Sequence, residues 1–133
     1  RRGIHLKSVH ESSLPYVRLD ARQVRSAIQR VLDFSVALLP KVGRLNIKAR
    51  RGESDSTQYV ELQIISDSAY SLEIDEKEVF QPFLQVGKYK AGLNLTLARE
   101  TLYRNRGQIS FRKNNSQQAL FSLLLEVCRV KEL

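Results

Sequence analysis

Between Asp20 and Pro40 the apolar residues Val24, Ala27, Ile28, Val31 and Leu32, with the small Ser35, recur at helical spacing, while Arg22, Arg25 and Gln29 fill the other side. This pattern predicts an amphipathic helix of about five turns. Asp20 is placed to cap it, because a carboxylate accepts hydrogen bonds from the free amides of a first turn, and Pro40 with Gly43 ends it. Upstream, Ile4, Leu6 and Val9 alternate weakly and predict an edge strand from Gly3 to Val9, followed by the polar run His10-Glu11-Ser12-Ser13. Downstream, Leu45, Ile47 and Ala49 alternate with polar residues, as do Val60, Leu62 and Ile64, and the polar stretch from Arg50 to Gln58 predicts the turn joining two half-buried strands. Val79 to Phe83 is a short apolar knot broken by Pro82. Leu93, Leu97, Ala98 and Leu102 predict the buried stripe of a second helix that stops near Gly107. Ile109 and Phe111 begin another strand, and Phe121, Leu123, Leu125 and Val127 alternate through the last one. Strands and helices mixed without regular βαβ alternation predict a sheet covered by helices on one face.

The chain has 133 residues, the size of one domain, so residues 1–133 are expected to form a single unit. Hydrophobic residues at 42% and charged residues at 27% are the composition of a folded chain. No apolar run reaches the roughly 18 to 20 residues of a membrane span, and no leader pattern is visible. Cys128 has no cysteine partner, and one thiol with two histidines cannot make a four-ligand zinc cage, so no metal is expected and a cytoplasmic setting fits. The lack of Met and the abrupt Arg1-Arg2-Gly3 start lead us to expect a piece, the C-terminal part, of a longer protein. The net charge is +8, yet Asp67, Glu73, Asp75, Glu76 and Glu78 face Lys77 alone between Ser66 and Gln81. The basic residues elsewhere are scattered and no aromatic-basic motif accompanies them, so nucleic acid is not an expected partner.

In this order the elements resemble the ATP-binding catalytic domain of sensor histidine kinases, within the GHKL superfamily of Bergerat-fold ATPases. The resemblance runs from about Gly3 to Val127 through a series of partial motifs. Leu14-Pro15-Tyr16-Val17-Arg18-Leu19-Asp20 resembles the family's lead-in to its first helix, and Val79-Phe80-Gln81-Pro82-Phe83 its "iFepF" box. Gly92-Leu93-Asn94-Leu95-Thr96-Leu97-Ala98 resembles "GLGLAIV", Asn105-Arg106-Gly107-Gln108-Ile109 resembles "HGG-x-I", and Phe121 matches the closing strand. The resemblance implies a two-layer α+β sandwich: a mixed, mostly antiparallel sheet of about five strands covered on one face by about three helices.

It also implies where nucleotide would bind, and there the sequence departs from the pattern. Phe34 stands where the family's asparagine binds magnesium, and Arg30 at the asparagine one turn earlier; a phenylalanine cannot ligate a hard cation. Asp33, one position away, points about 100° around the helix. Regular alternation beyond Ile64 puts Ser66 at the adenine-binding aspartate and Ser68 and Tyr70 at the following glycines. A one-residue bulge would instead align Asp67, Ala69 and Ser71, and both registers stay open. In the phosphate-binding box only Gly92 remains, with Lys90 at the first glycine and Asn94 at the last. The loop from Leu84 to Lys90 is short for a lid, although Lys88 and Lys90 carry charge that attracts anions. Gln118 replaces a glycine of the closing strand. The string His10-Glu11-Ser12-Ser13-Leu14-Pro15 resembles the family's phosphoacceptor box, but Asp20 opens the next helix too soon for it to lie on a dimerising helix.

The expected function is that of a degenerate, pseudokinase form of the domain: a pseudo-ATPase that regulates or docks within a two-component signalling protein, with no cofactor and no catalytic residue. Its expected partners are the parent's dimerising helical region or another signalling domain, with a response regulator further along, and Phe83, Leu84 and Val86 are the candidate interface. An alternative keeps an active histidine kinase with a remodelled site, ATP and magnesium held by Asp67, Lys88, Lys90 and Gly92, with Arg30 on phosphates. A second alternative is a basic anion- or nucleic-acid-binding module on the same scaffold.

Overall fold

The computed structural model describes residues 3–10, 20–39, 42–67, 75–86, 89–114 and 118–127. Strand β1 (Gly3–His10) leads to helix α1 (Ala21–Ala37), whose first turn is capped as expected: the Asp20 side chain accepts from the Gln23 amide at 3.1 Å. Strands β2 (Val42–Ser54) and β3 (Thr57–Asp67) pair antiparallel. A short hairpin, β4 (Leu84–Val86) and β5 (Tyr89–Gly92), precedes helix α2 (Asn94–Arg104), and β6 (Gln108–Lys113) and β7 (Gln118–Glu126) complete the order.

Among the described residues five strands form one sheet in the order β1-β2-β3-β7-β6. β1 is the edge strand that its weak alternation predicts, and it runs parallel to β2, which requires the crossover that α1 supplies. The other pairings are antiparallel. Both helices cover one face of this sheet. Inward residues Leu45, Ile64, Phe111, Ala119, Phe121 and Leu123 join Val24, Ala27, Val31 and Phe34 of α1 and Leu95, Ala98 and Leu102 of α2 in one buried cluster. Phe121 is its hub: Phe111 lies 4.8 Å away, Phe34 5.8 Å and Phe80 6.3 Å between ring centroids.

Two helices lie among the described residues, and 76–83 runs in turns, anchored to β6 where the Lys113 amide donates to Glu76 at 3.0 Å. Two expectations need correction. The polar stretch from Arg50 to Gln58 is mostly strand: β2 and β3 continue to a two-residue turn at Asp55 and Ser56, with φ of 50° and 66°. Positive φ at both central residues matches the twist of a tight hairpin, so exposed polar residues extend the ladder and the chain needs no longer loop. Finally, α2 buries Leu95, Ala98 and Leu102, whereas Leu93 and Leu97 are exposed. The helix starts at Asn94, and a stripe at i, i+3 and i+7 leaves residue 97 on the solvent side.

Candidate functional site

The site implied by the resemblance would lie between the second half of α1, the inner end of β3 and the first turn of α2. Phe34 is fully buried there, its ring edge-on to Phe121 at 84°. It faces α1 inward because it continues the stripe of Val24, Ala27 and Val31. One turn earlier, Arg30 Nη1 donates to Asn94 Oδ1 at 2.7 Å, half-buried. Two departures from the family pattern, in two different boxes, therefore meet each other.

The register left open in the sequence is the regular one. β3 pairs with β2 and β7 without interruption through Ser66, and on to Asp67 with β7. Ser66 therefore points inward, 1% exposed, and its hydroxyl donates to the Ser35 carbonyl of α1 at 3.2 Å. The Ser35 hydroxyl beside it is buried and has no hydrogen-bond partner among the described residues. Asp67, one residue on, takes the opposite face of the sheet. There it accepts from the Gln118 side-chain Nε2 at 2.6 Å, so this candidate adenine ligand is turned away from Arg30, Phe34 and Asn94. Residues 68–71 and Lys88 lie outside the described residues, as does Cys128.

Where a lid would close over phosphates stands the β4–β5 hairpin. Lys90 is exposed on it, and Gly92 ends it with φ of +57°, the left-handed conformation that glycine adopts without strain. The Gly92 carbonyl accepts from the Phe83 amide at 2.6 Å, and the Phe80 carbonyl accepts from the Thr96 hydroxyl at 2.8 Å. Val79 is fully buried, and Phe80 is half-buried under the Arg99 guanidinium, 5.3 Å from its ring centroid. The candidate interface divides. Phe83 is 75% exposed, Leu84 packs against the core cluster, and of Val86 only the strand position is described. Leu84 is thus half-buried against the core, while Leu93 and Leu97 join Phe83 on the surface. The sequence signal for these two was their leucine character, which pointed the wrong way because they resembled a buried stripe.

As donors for a magnesium-bound triphosphate these residues do not fit. The Phe34 side chain has no oxygen to offer, Arg30 brings a positive charge one turn from the position that the resemblance gives to the metal ligand, and Asn94 lacks the bare backbone of a phosphate-loop glycine. Among the described residues no group of three or more His, Cys, Asp or Glu is arranged to hold a metal ion. His10 ends a β-strand and is not on a helix, unlike the phosphoacceptor histidine that its sequence string resembles.

The groups that reasoning from sequence missed are polar pairings between distant elements. Asn105 Oδ1 accepts from the Asp20 amide at 2.8 Å, and its Nδ2 donates to the Gln23 side chain at 3.1 Å. On the outer face, Glu61 accepts from Ser122 at 2.5 Å, from Arg50 at 2.8 Å and from Gln63 at 3.3 Å. Burial alone would push the Glu61 carboxyl up; the Ser122, Arg50 and Gln63 hydrogen bonds and the Arg50 charge outweigh it and hold the carboxyl below its ordinary range.

The chain is 30% identical over 129 residues to the alginate biosynthesis sensor protein KinB of Pseudomonas aeruginosa, a match that takes in 95% of this chain and 21% of that protein. It therefore spans about a fifth of that relative's length. No family model matches the chain. Among solved structures, the mycobacterial sensor histidine kinase MprB superposes with a TM-score of 0.74 at 18% identity, over 93% of this chain and 84% of that one. A nucleotide-free catalytic domain of the histidine kinase ThkA gives a TM-score of 0.75 at 14% identity, over 93% and 79%.

Proposed function

We propose that this chain, which has the fold of the ATP-binding catalytic domain of sensor histidine kinases, is a degenerate member: a pseudo-ATPase that serves a cytoplasmic signalling assembly as a regulatory or docking module. The observation that carries this reading is the buried Phe34 ring, at the position that the resemblance gives to the metal-binding asparagine. Phosphoryl transfer depends on positioning the phosphates and neutralising their charge, and the metal supplies much of both. A hydrocarbon ring packed on Phe121 supplies neither, and the Arg30–Asn94 pair stands where phosphate would need bare backbone.

The docking half of the proposal rests on a surface. Phe83, Leu93 and Leu97 are exposed, and Phe83 is bonded to Gly92, directly beside Leu93. Such a strip suits the apolar face of a helix. Its occupant is the dimerising helical region of the parent protein, since the chain matches only part of a much longer sensor relative. A response regulator would then meet the assembly through those helices.

Incubating the parent protein with ATP labelled on its terminal phosphate tests the reading. The expected result is no labelled histidine attributable to this domain. Label that appears and then disappears on Lys90→Ala would favour the remodelled kinase.

A further inference from the structure

Arg30 lies midway along α1 and Asn94 opens α2, 64 residues further along the chain. A charged guanidinium donating at 2.7 Å in a half-buried setting makes one of the stronger kinds of hydrogen bond. At the other end of the same helix pair, Asn105 accepts from the Asp20 amide and donates to the Gln23 side chain. An asparagine side chain thus ties each end of α2 to α1, with Leu95, Ala98 and Leu102 packed between.

The two ties differ in what they restrain. Beyond Asn105 the chain enters β6, which the sheet already holds. Before Asn94 it leads to Gly92 and the β4–β5 hairpin, a two-stranded ladder separate from the main sheet. Among the described residues no side-chain hydrogen bond from the cap position closes the first turn of α2, where Leu93 stands, and Asn94 points its oxygen at Arg30. A two-stranded hairpin is marginal by itself, so its placement depends on what its ends are fastened to. One end is fastened through Gly92 and Leu93 to Asn94.

We propose that the Arg30–Asn94 hydrogen bond is a latch that fixes the first turn of α2, and with it the hairpin and the strip of Phe83, Leu93 and Leu97, in the docking position without any ligand. The proposal rests on reading that strip as the docking surface. It makes presentation of the surface permanent: a bond within the protein fixes the element whose position a bound phosphate would otherwise determine.

Amide hydrogen exchange on the whole chain tests the latch. In Arg30→Ala and in Asn94→Ala, amides of the first turn of α2 and of β4–β5 should exchange about tenfold faster or more, while those of β3 and β7 keep their rates. The double variant should fall clearly short of the sum of the two single ones, because both remove the same bond. Asn94→Asp guards against variants that fail to fold. A carboxylate facing Arg30 should slow exchange there and raise the melting temperature, and most of that gain should vanish in an Arg30→Ala background. Unchanged exchange in the single variants, additive effects in the double variant, or an Asn94→Asp gain that survives without Arg30 would each overturn the latch. Its failure is distinct from failure of the pseudo-ATPase reading: uncoupled variants in a chain that still ignores Mg-ATP overturn the latch alone, whereas coupled variants in a chain that binds Mg-ATP overturn only that reading.

Discussion

The ring of Phe34 meets that of Phe121 edge to face, with centroids 5.8 Å apart and planes at 84°. Edge-on contact places the positive rim of one ring against the negative face of the other and adds about 0.5 to 1.5 kcal/mol to what burial of the rings contributes. α1 and β7 are therefore joined through aromatic packing at the position where the resemblance implies a metal ligand.

Phe34→Asn is expected to destabilise the domain by at least about 3 kcal/mol, since truncating a buried Phe costs about 3 to 5 kcal/mol and the new amide would be buried as well. Urea denaturation reads the loss directly. The variant should not gain magnesium-dependent ATP binding, because Arg30 still occupies Asn94.

Glu61 should make the fold acid-sensitive. Its carboxyl is lowered in the folded chain from an ordinary value of 4.5, so on acidification the unfolded chain takes up the proton first. The stability that it contributes is thus full above that value and is lost as pH falls through the lower folded one. Glu61→Gln should flatten the decline in melting temperature below about pH 4.5. A decline of unchanged steepness would assign it to other carboxylates.

Two neighbouring residues after α2 should respond in opposite directions. A Cβ at Gly107 would lie 2.6 Å from the Leu124 carbonyl oxygen and 3.2 Å from that of Leu102, both backbone atoms. Gly107→Ala should therefore cost more than about 2 kcal/mol. Arg106 has φ of 61°, a left-handed conformation that suits glycine after a helix, and Arg106→Gly should stabilise by about 0.5 to 1 kcal/mol. Thermal melts of the two variants check both signs.

The fold was largely legible because its signals are local. Asp20 caps α1 as its side-chain chemistry predicts, and the alternation of Val60, Leu62 and Ile64 runs on through Ser66 without a bulge. What stayed hidden depends on pairings far apart in sequence. Neither Arg30 nor Asn94 has a pattern that announces the other, and Asp67 could be assigned a face only once Gln118 lay across from it. Leu97 misled because leucine at helical spacing looks buried wherever a helix begins, and the start at Asn94 is what turns it outward.

The exposed strip should separate binding from stability. Phe83→Ser and Leu97→Ser are expected to weaken association with the parent's helical region while changing stability by less than about 0.5 kcal/mol. Leu84→Ser, at a side chain packed on the core, should do the reverse. Equal melting temperatures for all three, with association intact, would move the docking surface elsewhere.

Calorimetric titration of the chain with ATP and magnesium tests the central claim most directly, because Phe34, Arg30 and Asn94 all bear on that single equilibrium. A degenerate site predicts no saturable heat at micromolar concentrations, with or without the metal. A one-site isotherm that depends on magnesium would contradict it and restore a working nucleotide site.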